Sequence, residues 1–500
     1  MQQEQSDRVL TALQEFFTTP LATKLSKHQQ VSPQAAALEL FRDVAATVPA
    51  YKTFLTARGI EPTAIQTLAD FQQLPLLTKD NYLCCHSLPN FCRHGQLERC
   101  DMVAASSGST GKPTYWLRYL TDELQIATRF EQIFHDSFSA DTRPTLAVVC
   151  FTLGTWVGGM FTTDCCRHLA SKGYPITVVT PGNNKTEICR VVQELGSLFE
   201  QVVLLGYPPF LKDVIDTGKA NGIEWQRYQI KLVLAGEVFS EEWRSLVGER
   251  VGANNPYYDS ASLYGTADAG VLGNETPLSI CIRRFLAENP EVARSLFGES
   301  RLPTLVQYDP LSRFFEVQDG TLLFSGDNGI PLVRYHIADT GGIIAYDAML
   351  EFLRSHGFDP IATLQQQGTR GIHALPFVYV FGRANFTISY FGANIYPENV
   401  IVGLEQPQIR EWVTGKFVME VKEDADRNRF FSIVVELAPG VEGNEAKRNA
   451  IATSIHAQLL RLNSEFANYV PPEYQIPQIS LAPTGDPEYF PVGVKHRYTR

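Results

Sequence analysis

Between residues 145 and 236, short apolar runs alternate with amphipathic stretches, and this rhythm restricts the fold more than any other feature of the 500-residue chain. LAVVCF, ITVVT, QVVLLG and IKLVLAG read as strands, while TEICRVVQELGSLF and PPFLKDVIDTGKANG carry helical spacing. Strands separated by helices predict an α/β architecture, a parallel sheet flanked by helices. In such sheets the loops after the strand C-termini carry ligand chemistry. Gly206-Tyr207-Pro208 and Gly236-Glu237 both follow strands directly.

The rhythm is different on either side. The first hundred residues read as helices: Leu10, Leu13, Phe16 and Phe17 share one face, and Leu38, Phe41, Val44 and Ala45 repeat the pattern. Near residue 382 a second change occurs. FFSIVVELA then reads as a strand, followed by a long helix with Ile451, Ile455, Leu459, Leu462 and Phe466 on one stripe. The expected organisation is a large N-terminal domain, residues 1–382, with mixed and parallel sheets flanked by helices. A small α+β domain follows at 383–500.

Composition excludes more than it selects. A net charge of −11 with no block of Lys and Arg disfavours nucleic-acid and anionic-membrane partners. The charge-free run TLAVVCFTLGTWVGGMFTT is interrupted by Gly154, Gly158 and Gly159, which predicts a buried strand turning into a helix and not a membrane span. The start, MQQEQSDRV, lacks a basic segment followed by an apolar one, so a cytoplasmic protein is expected. Nine cysteines at irregular spacing predict reduced thiols. Cys84, Cys85, His86, Cys92, His94 and Cys100 lie close in sequence but match no zinc-ribbon or zinc-finger spacing, leaving a structural metal as the open alternative.

The segment SSGSTGKPT, Ser106 to Thr114, is the most informative. Glycines and small hydroxyl residues let backbone N–H groups approach phosphate oxygens, and Lys112 adds positive charge. It is not a Walker A loop, because Pro113 stands where that motif needs Ser or Thr. Alone it also fits a flexible polar loop.

The order of the motifs resembles the adenylate-forming superfamily of acyl-CoA synthetases, adenylation domains and luciferases, and within it the phenylacetate–CoA ligase branch. LPLLTKDNY (Leu74 to Tyr82) resembles that branch's lead-in to the phosphate loop. The resemblance implies that Ser106, Ser107, Gly108, Ser109, Thr110, Gly111 and Lys112 orient the β and γ phosphates. AGEVFS would place Gly236 and Glu237 beside the purine. The family's Tyr-Gly-x-Thr-Glu motif corresponds to Tyr264, Gly265, Thr266, Ala267 and Asp268, with Asp268 assigned to Mg²⁺. Asp268 is one methylene shorter than the usual Glu, and Ala267 lacks the usual hydroxyl. RYHIAD supplies Asp339 for the ribose hydroxyls, with Arg383 as its partner. Asn385 stands at the hinge, where Asp or Lys is usual. Gly392, Pro397 and Glu398 complete the start of a mobile C-terminal domain, and Lys495 in PVGVKHRYTR matches the catalytic lysine near the terminus.

The resemblance therefore implies an AMP-forming ligase using ATP and Mg²⁺. A small-molecule carboxylic acid would become an acyl-AMP, stabilised by Lys112, Asp268 and Lys495, before transfer to CoA. A carrier-protein thiol or an amine is the alternative acceptor, and a non-catalytic nucleotide-binding homologue the alternative class. Phe151, Gly154, Trp156, Tyr207 and Gly270 are the candidate acyl-pocket residues, suited to an aryl or otherwise apolar acid. Core packing explains their residue types equally well.

Overall fold

Leu146 to Val149 and Val202 to Leu205 are all fully buried, and strands apolar on both faces need a covering layer on each. The computed structural model describes residues 2–106, 114–298, 302–367, 370–383, 387–438, 440–490 and 498–499. In it these strands form the heart of an eleven-stranded sheet. A two-stranded ladder precedes the sheet, β1 (Met102–Ser106) with β2 (Thr114–Arg118). The sheet strands are β3 (Thr145–Val149), β4 (Ile176–Val179), β5 (Gln201–Gly206), β6 (Ile230–Ala235), β7 (Ser260–Thr266), β8 (Gly270–Asn274), β9 (Thr304–Gln307), β10 (Phe314–Gln318), β11 (Thr321–Gly326), β12 (Leu332–Ile344) and β13 (Phe377–Arg383).

Strands β4, β3, β5, β6 and β7 lie side by side and parallel. Helices Val157–Ser171, Lys185–Leu195, Pro208–Ala220 and Glu241–Val251 make the successive crossovers, as parallel pairing requires. After β7 the chain reverses into β8, and the remaining strands pair antiparallel in the order β8, β9, β13, β12, β11, β10. The sheet is thus mixed. The charge-free run resolves into β3 and the helix that follows it, and among the described residues no helix is long and apolar enough to cross a membrane.

The first hundred residues are helical, with Phe41, Val44 and Ala45 buried. One expectation fails there. Leu10 is 63% exposed and Phe17 38%, while Phe16 is fully buried. Phe16 sits under the ammonium groups of Lys24 and Lys172, so packing selects one position from the predicted face. All nine cysteines are free. Among the described residues no group of three or more His, Cys, Asp or Glu side chains could hold a metal ion.

The chain divides into two compact units. The first comprises Met1–Ala105, Tyr115–Gly206 and Gly218–Ala384; the second comprises Ser106–Thr114, Tyr207–Thr217 and Asn385–Arg500. In the second unit, β14 (Ile388–Tyr390) pairs with β15 (Ala393–Ile395), and β16 (Val413–Glu423), β17 (Arg429–Leu437) and β18 (Gln478–Ala482) form a three-stranded sheet. Helix Pro397–Leu404 packs closely on helix Glu445–Leu462, where a Cβ at Gly403 would meet Ile455 at 2.8 Å. Ile451, Ile455, Leu459 and Phe466 are fully buried as the stripe predicts. The described end of the chain returns to β16: Met419 N–H donates to Tyr498 O (2.7 Å), and Thr499 bridges Met419.

Candidate active site

The turn between β7 and β8 carries the acidic motif. Gly265 is obligatory, because a Cβ would stand 2.4 Å from the backbone oxygen of Gly270. Thr266 Oγ1 accepts a hydrogen bond from the Ala269 N–H (3.2 Å), closing the turn. Asp268 is 8% exposed. The Tyr335 hydroxyl donates to its Oδ2, and the Lys79 ammonium lies 3.9 Å from its Oδ1.

Lys79 is delivered there by backbone pairing. Leu77 bridges Tyr335 in parallel: its N–H donates to Arg334 O (3.1 Å), and its carbonyl accepts from His336 N–H (2.9 Å). The LPLLTKDNY segment is thereby laid beside β12. Thr78 and Asn81 then cap the turn that begins at Lys79 through reciprocal side-chain bonds.

Asp339, also on β12, accepts a hydrogen bond from the Tyr264 hydroxyl (2.7 Å). It is the register partner of Arg383 on β13. Ala338, just before it, has φ +67°, a left-handed backbone that costs a non-glycine residue energy and persists where surrounding structure imposes it. The ladder slips between Thr340 and Gly341. Gly236 leaves β6 with φ +86°, and since Ala235 pairs with Leu263, it turns away at the level of Tyr264. Glu237 after it is buried. The structure thus places Gly236, Glu237, Tyr264, Gly265, Thr266 and Asp268 at and beyond the C-terminal ends of the parallel strands β6 and β7, with Asp339 and the Arg383 backbone joined to them through Tyr264.

No protein-family model matches the chain. It is 24% identical over 230 residues to the phenylacetate–coenzyme A ligase of Aromatoleum evansii, covering 44% of this chain and 47% of the relative. It is 23% identical over 356 residues to that of Thermus thermophilus, covering 71% of this chain and 70% of the relative. The chain thus spans about half the length of one curated relative and about two thirds of the other. The fold matches that of 2-hydroxyisobutyryl-CoA ligase in complex with 2-HIB-AMP and CoA in the thioesterification state, with TM-score 0.63 and 14% identity over 97% of this chain and 91% of that one. The chain is thus similar in sequence to two phenylacetate–coenzyme A ligases and shares the fold of 2-hydroxyisobutyryl-CoA ligase.

Several residues assigned from the superfamily's motifs lie outside the described residues: Ser107, Gly108, Ser109, Thr110, Gly111, Lys112, Asn385 and Lys495. Ser106 closes β1, whose Ala105 N–H donates to Thr155 O (2.7 Å) and which bridges Trp156. Each acyl-pocket candidate has its own local surroundings. Phe151 is buried, with its side chain 3.6 Å from where a Gly158 Cβ would be. Gly154 has φ +89° and nothing within 4 Å of a would-be Cβ. Gly270, φ +66°, lies under Ile126 and Phe161. Tyr207 falls in the second unit, where its ring lies against Gly392 and tilts over Tyr469 (5.5 Å).

Lys79 and Tyr335 are the functional candidates that sequence reasoning missed, although both lie inside quoted motifs. Magnesium fits the donor set. Asp268 and the Thr266 hydroxyl would offer it hard oxygen ligands, and a single carboxylate would suffice for a cation carried on phosphates that keeps its waters. Replacing Tyr264 by Phe is expected to raise the ATP KM about tenfold in acid-dependent exchange, because a hydrogen bond to a carboxylate contributes roughly 1.5 kcal/mol or more. An unchanged KM would separate the Tyr264–Asp339 pair from nucleotide binding.

Proposed function

We propose that the protein activates a carboxylic acid with ATP and transfers the acyl group to CoA. The observation that carries this reading is the shared position of Asp339, held by Tyr264, and Asp268, held by Tyr335 and Lys79. One carboxylate suits two adjacent ribose hydroxyls, and the other lies beside an ammonium suited to phosphate. In the first step a carboxylate oxygen attacks the α-phosphorus, forming the acyl–phosphate bond as pyrophosphate leaves. The nucleophile is already ionised at neutral pH, so no general base is required. Lys79, Lys112 and Lys495 supply positive charge, and catalysis rests on positioning and electrostatics. Magnesium, when bound, would offset charge on the phosphate oxygens. In the second step a thiol sulfur attacks the acyl carbonyl, AMP leaves, and the thiol proton passes to solvent.

In this reading residues 1–382 bind ATP and acid, and residues 383–500, hinged at Asn385, form the mobile domain that carries Lys495. The names of the curated relatives support an aryl acid and CoA, and the 2-HIB-AMP and CoA of the structural relative support acyl-AMP before thioester. A carrier-protein thiol or an amine is the competing acceptor. Ala267 and Asn385, the departures from the motif, favour a second reading as a non-catalytic nucleotide-binding homologue. The products decide. With Mg-ATP and a cognate acid, and without CoA, acyl-AMP and pyrophosphate are expected by mass spectrometry. Release of ADP and phosphate, or no turnover, would reject the proposal.

A further inference from the structure

Behind the Asp268 turn lies a cluster of buried charge that the reaction itself does not use. Arg118, the last residue of β2, is 1% exposed; Asp122, on helix Leu120–Gln132, is 3% exposed; Arg313, just before β10, is 2% exposed. Arg118 Nη2 donates to the Ala267 carbonyl (2.6 Å), and Arg313 Nη2 to the Ala269 carbonyl (3.3 Å). The two peptide oxygens flanking Asp268 are therefore each gripped by a guanidinium from a different element. Asp122 stands between the guanidiniums, its Oδ2 4.0 Å from Arg118 Nε and its Oδ1 3.9 Å from Arg313 Nη2. Neither oxygen makes a hydrogen bond of ordinary geometry. Asp122 thus balances both cations without drawing either away from the turn.

Each arginine is fixed at its own end. Arg118 Nη1 donates to Leu117 O (3.0 Å), and its guanidinium lies 5.5 Å from the Phe161 ring centroid. Gly329 packs so closely on β2 that a Cβ would stand 1.7 Å from Leu117 O. Arg313 Nη1 donates to Ser312 O (2.8 Å) and Gln125 Oε1 (3.3 Å). Burying three charges is costly, because each must leave water. Burial, the leading influence, lowers the pKa of both guanidiniums and raises that of Asp122, while their opposite charges oppose those shifts. A turn needing support for stability alone could obtain it from apolar packing at lower cost. This turn carries Asp268, and the residue before it, Ala267, has no side-chain hydroxyl to anchor it.

We propose that Arg118, Asp122 and Arg313 are positioning residues, a clamp that holds the Ala267–Ala269 backbone so that Asp268 faces Lys79, Tyr335 and the magnesium of the bound nucleotide. The proposal rests on the functional reading of Asp268 above.

The test compares the full-length protein with Arg313→Lys and Arg118→Lys, which keep the charge and lose the planar fork. Asp122→Asn serves as a third variant. Amide hydrogen exchange is followed without nucleotide, and ATP–pyrophosphate exchange is measured against Mg²⁺ concentration. The expected result is roughly tenfold faster amide exchange confined to residues 264–271, with protection of β3 and β5 unchanged. The Mg²⁺ requirement should rise roughly tenfold with a smaller change in kcat. Unchanged exchange at the turn would overturn the clamp. So would loss of protection throughout the sheet with an unaltered Mg²⁺ requirement, which marks a merely structural role. Absence of pyrophosphate exchange in the unsubstituted protein would instead overturn the functional reading, and amide exchange would still show whether these residues hold the turn.

Discussion

Asp268→Asn is expected to lower acid-dependent ATP–pyrophosphate exchange by roughly 10²- to 10³-fold, the range typical of removing one group aimed at charge that develops in the transition state. The substitution is nearly isosteric, and the amide oxygen still accepts from the Tyr335 hydroxyl that now reaches Oδ2. The Ala267 and Ala269 carbonyls keep their arginine donors, so the turn persists. Lys79, with 38% side-chain exposure, loses a neighbour at 3.9 Å and remains solvated. The thermal midpoint should therefore change little while the rate falls. A stable variant with wild-type exchange would remove Asp268 from the chemistry. A variant that loses both rate and stability in proportion would give it a structural role only.

The second large effect is expected at Lys495. Lys495→Ala should reduce adenylation by roughly 10²-fold or more, yet leave transfer from preformed acyl-AMP to the acceptor intact, because in the proposed mechanism the lysine's charge acts where phosphate charge develops. Its position near the terminus invites the objection that it belongs to a loose tail. Both flanks are in fact anchored. Phe490 is 3% exposed and packs with Val418, Val434 and Ala482. On the other side the Tyr498 ring lies 5.0 Å from that of Phe417, and its carbonyl accepts from Met419 N–H. Lys495 itself lies outside the described residues. Full adenylation by the variant would exclude it from the first step.

The fold was legible where the pattern is local. The alternation from LAVVCF to IKLVLAG yielded the parallel strands and their crossover helices, since a strand buried on both faces and an amphipathic helix each leave a periodic trace. Tyr264 to Asp268 and Asp339 were singled out by their resemblance to the superfamily's motifs, and the structure joins Tyr264 to Asp339 by a hydrogen bond. What escaped depends on contacts between distant segments. Lys79 meets Asp268 because Leu77 bridges Tyr335, and no periodicity encodes that register. Arg118, Asp122 and Arg313 are ordinary surface types by composition, and their burial becomes evident once β2, helix Leu120–Gln132 and the start of β10 converge. The opposite error occurred at Leu10 and Phe17, where a correct helical face extends beyond the surface available to cover it. Tyr207 follows β5 as its loop position indicated, and its contacts with Gly392 and Tyr469 join segments far apart in sequence.

The most direct test of acid activation is ATP–pyrophosphate exchange with Mg²⁺ and without CoA, measured across a panel of aryl and aliphatic carboxylates. Adenylation predicts exchange that depends on the acid, appears with one subset of the panel and needs no acceptor. ATP binding with no acid-dependent exchange across the panel would contradict it and leave the chain as a nucleotide-binding homologue.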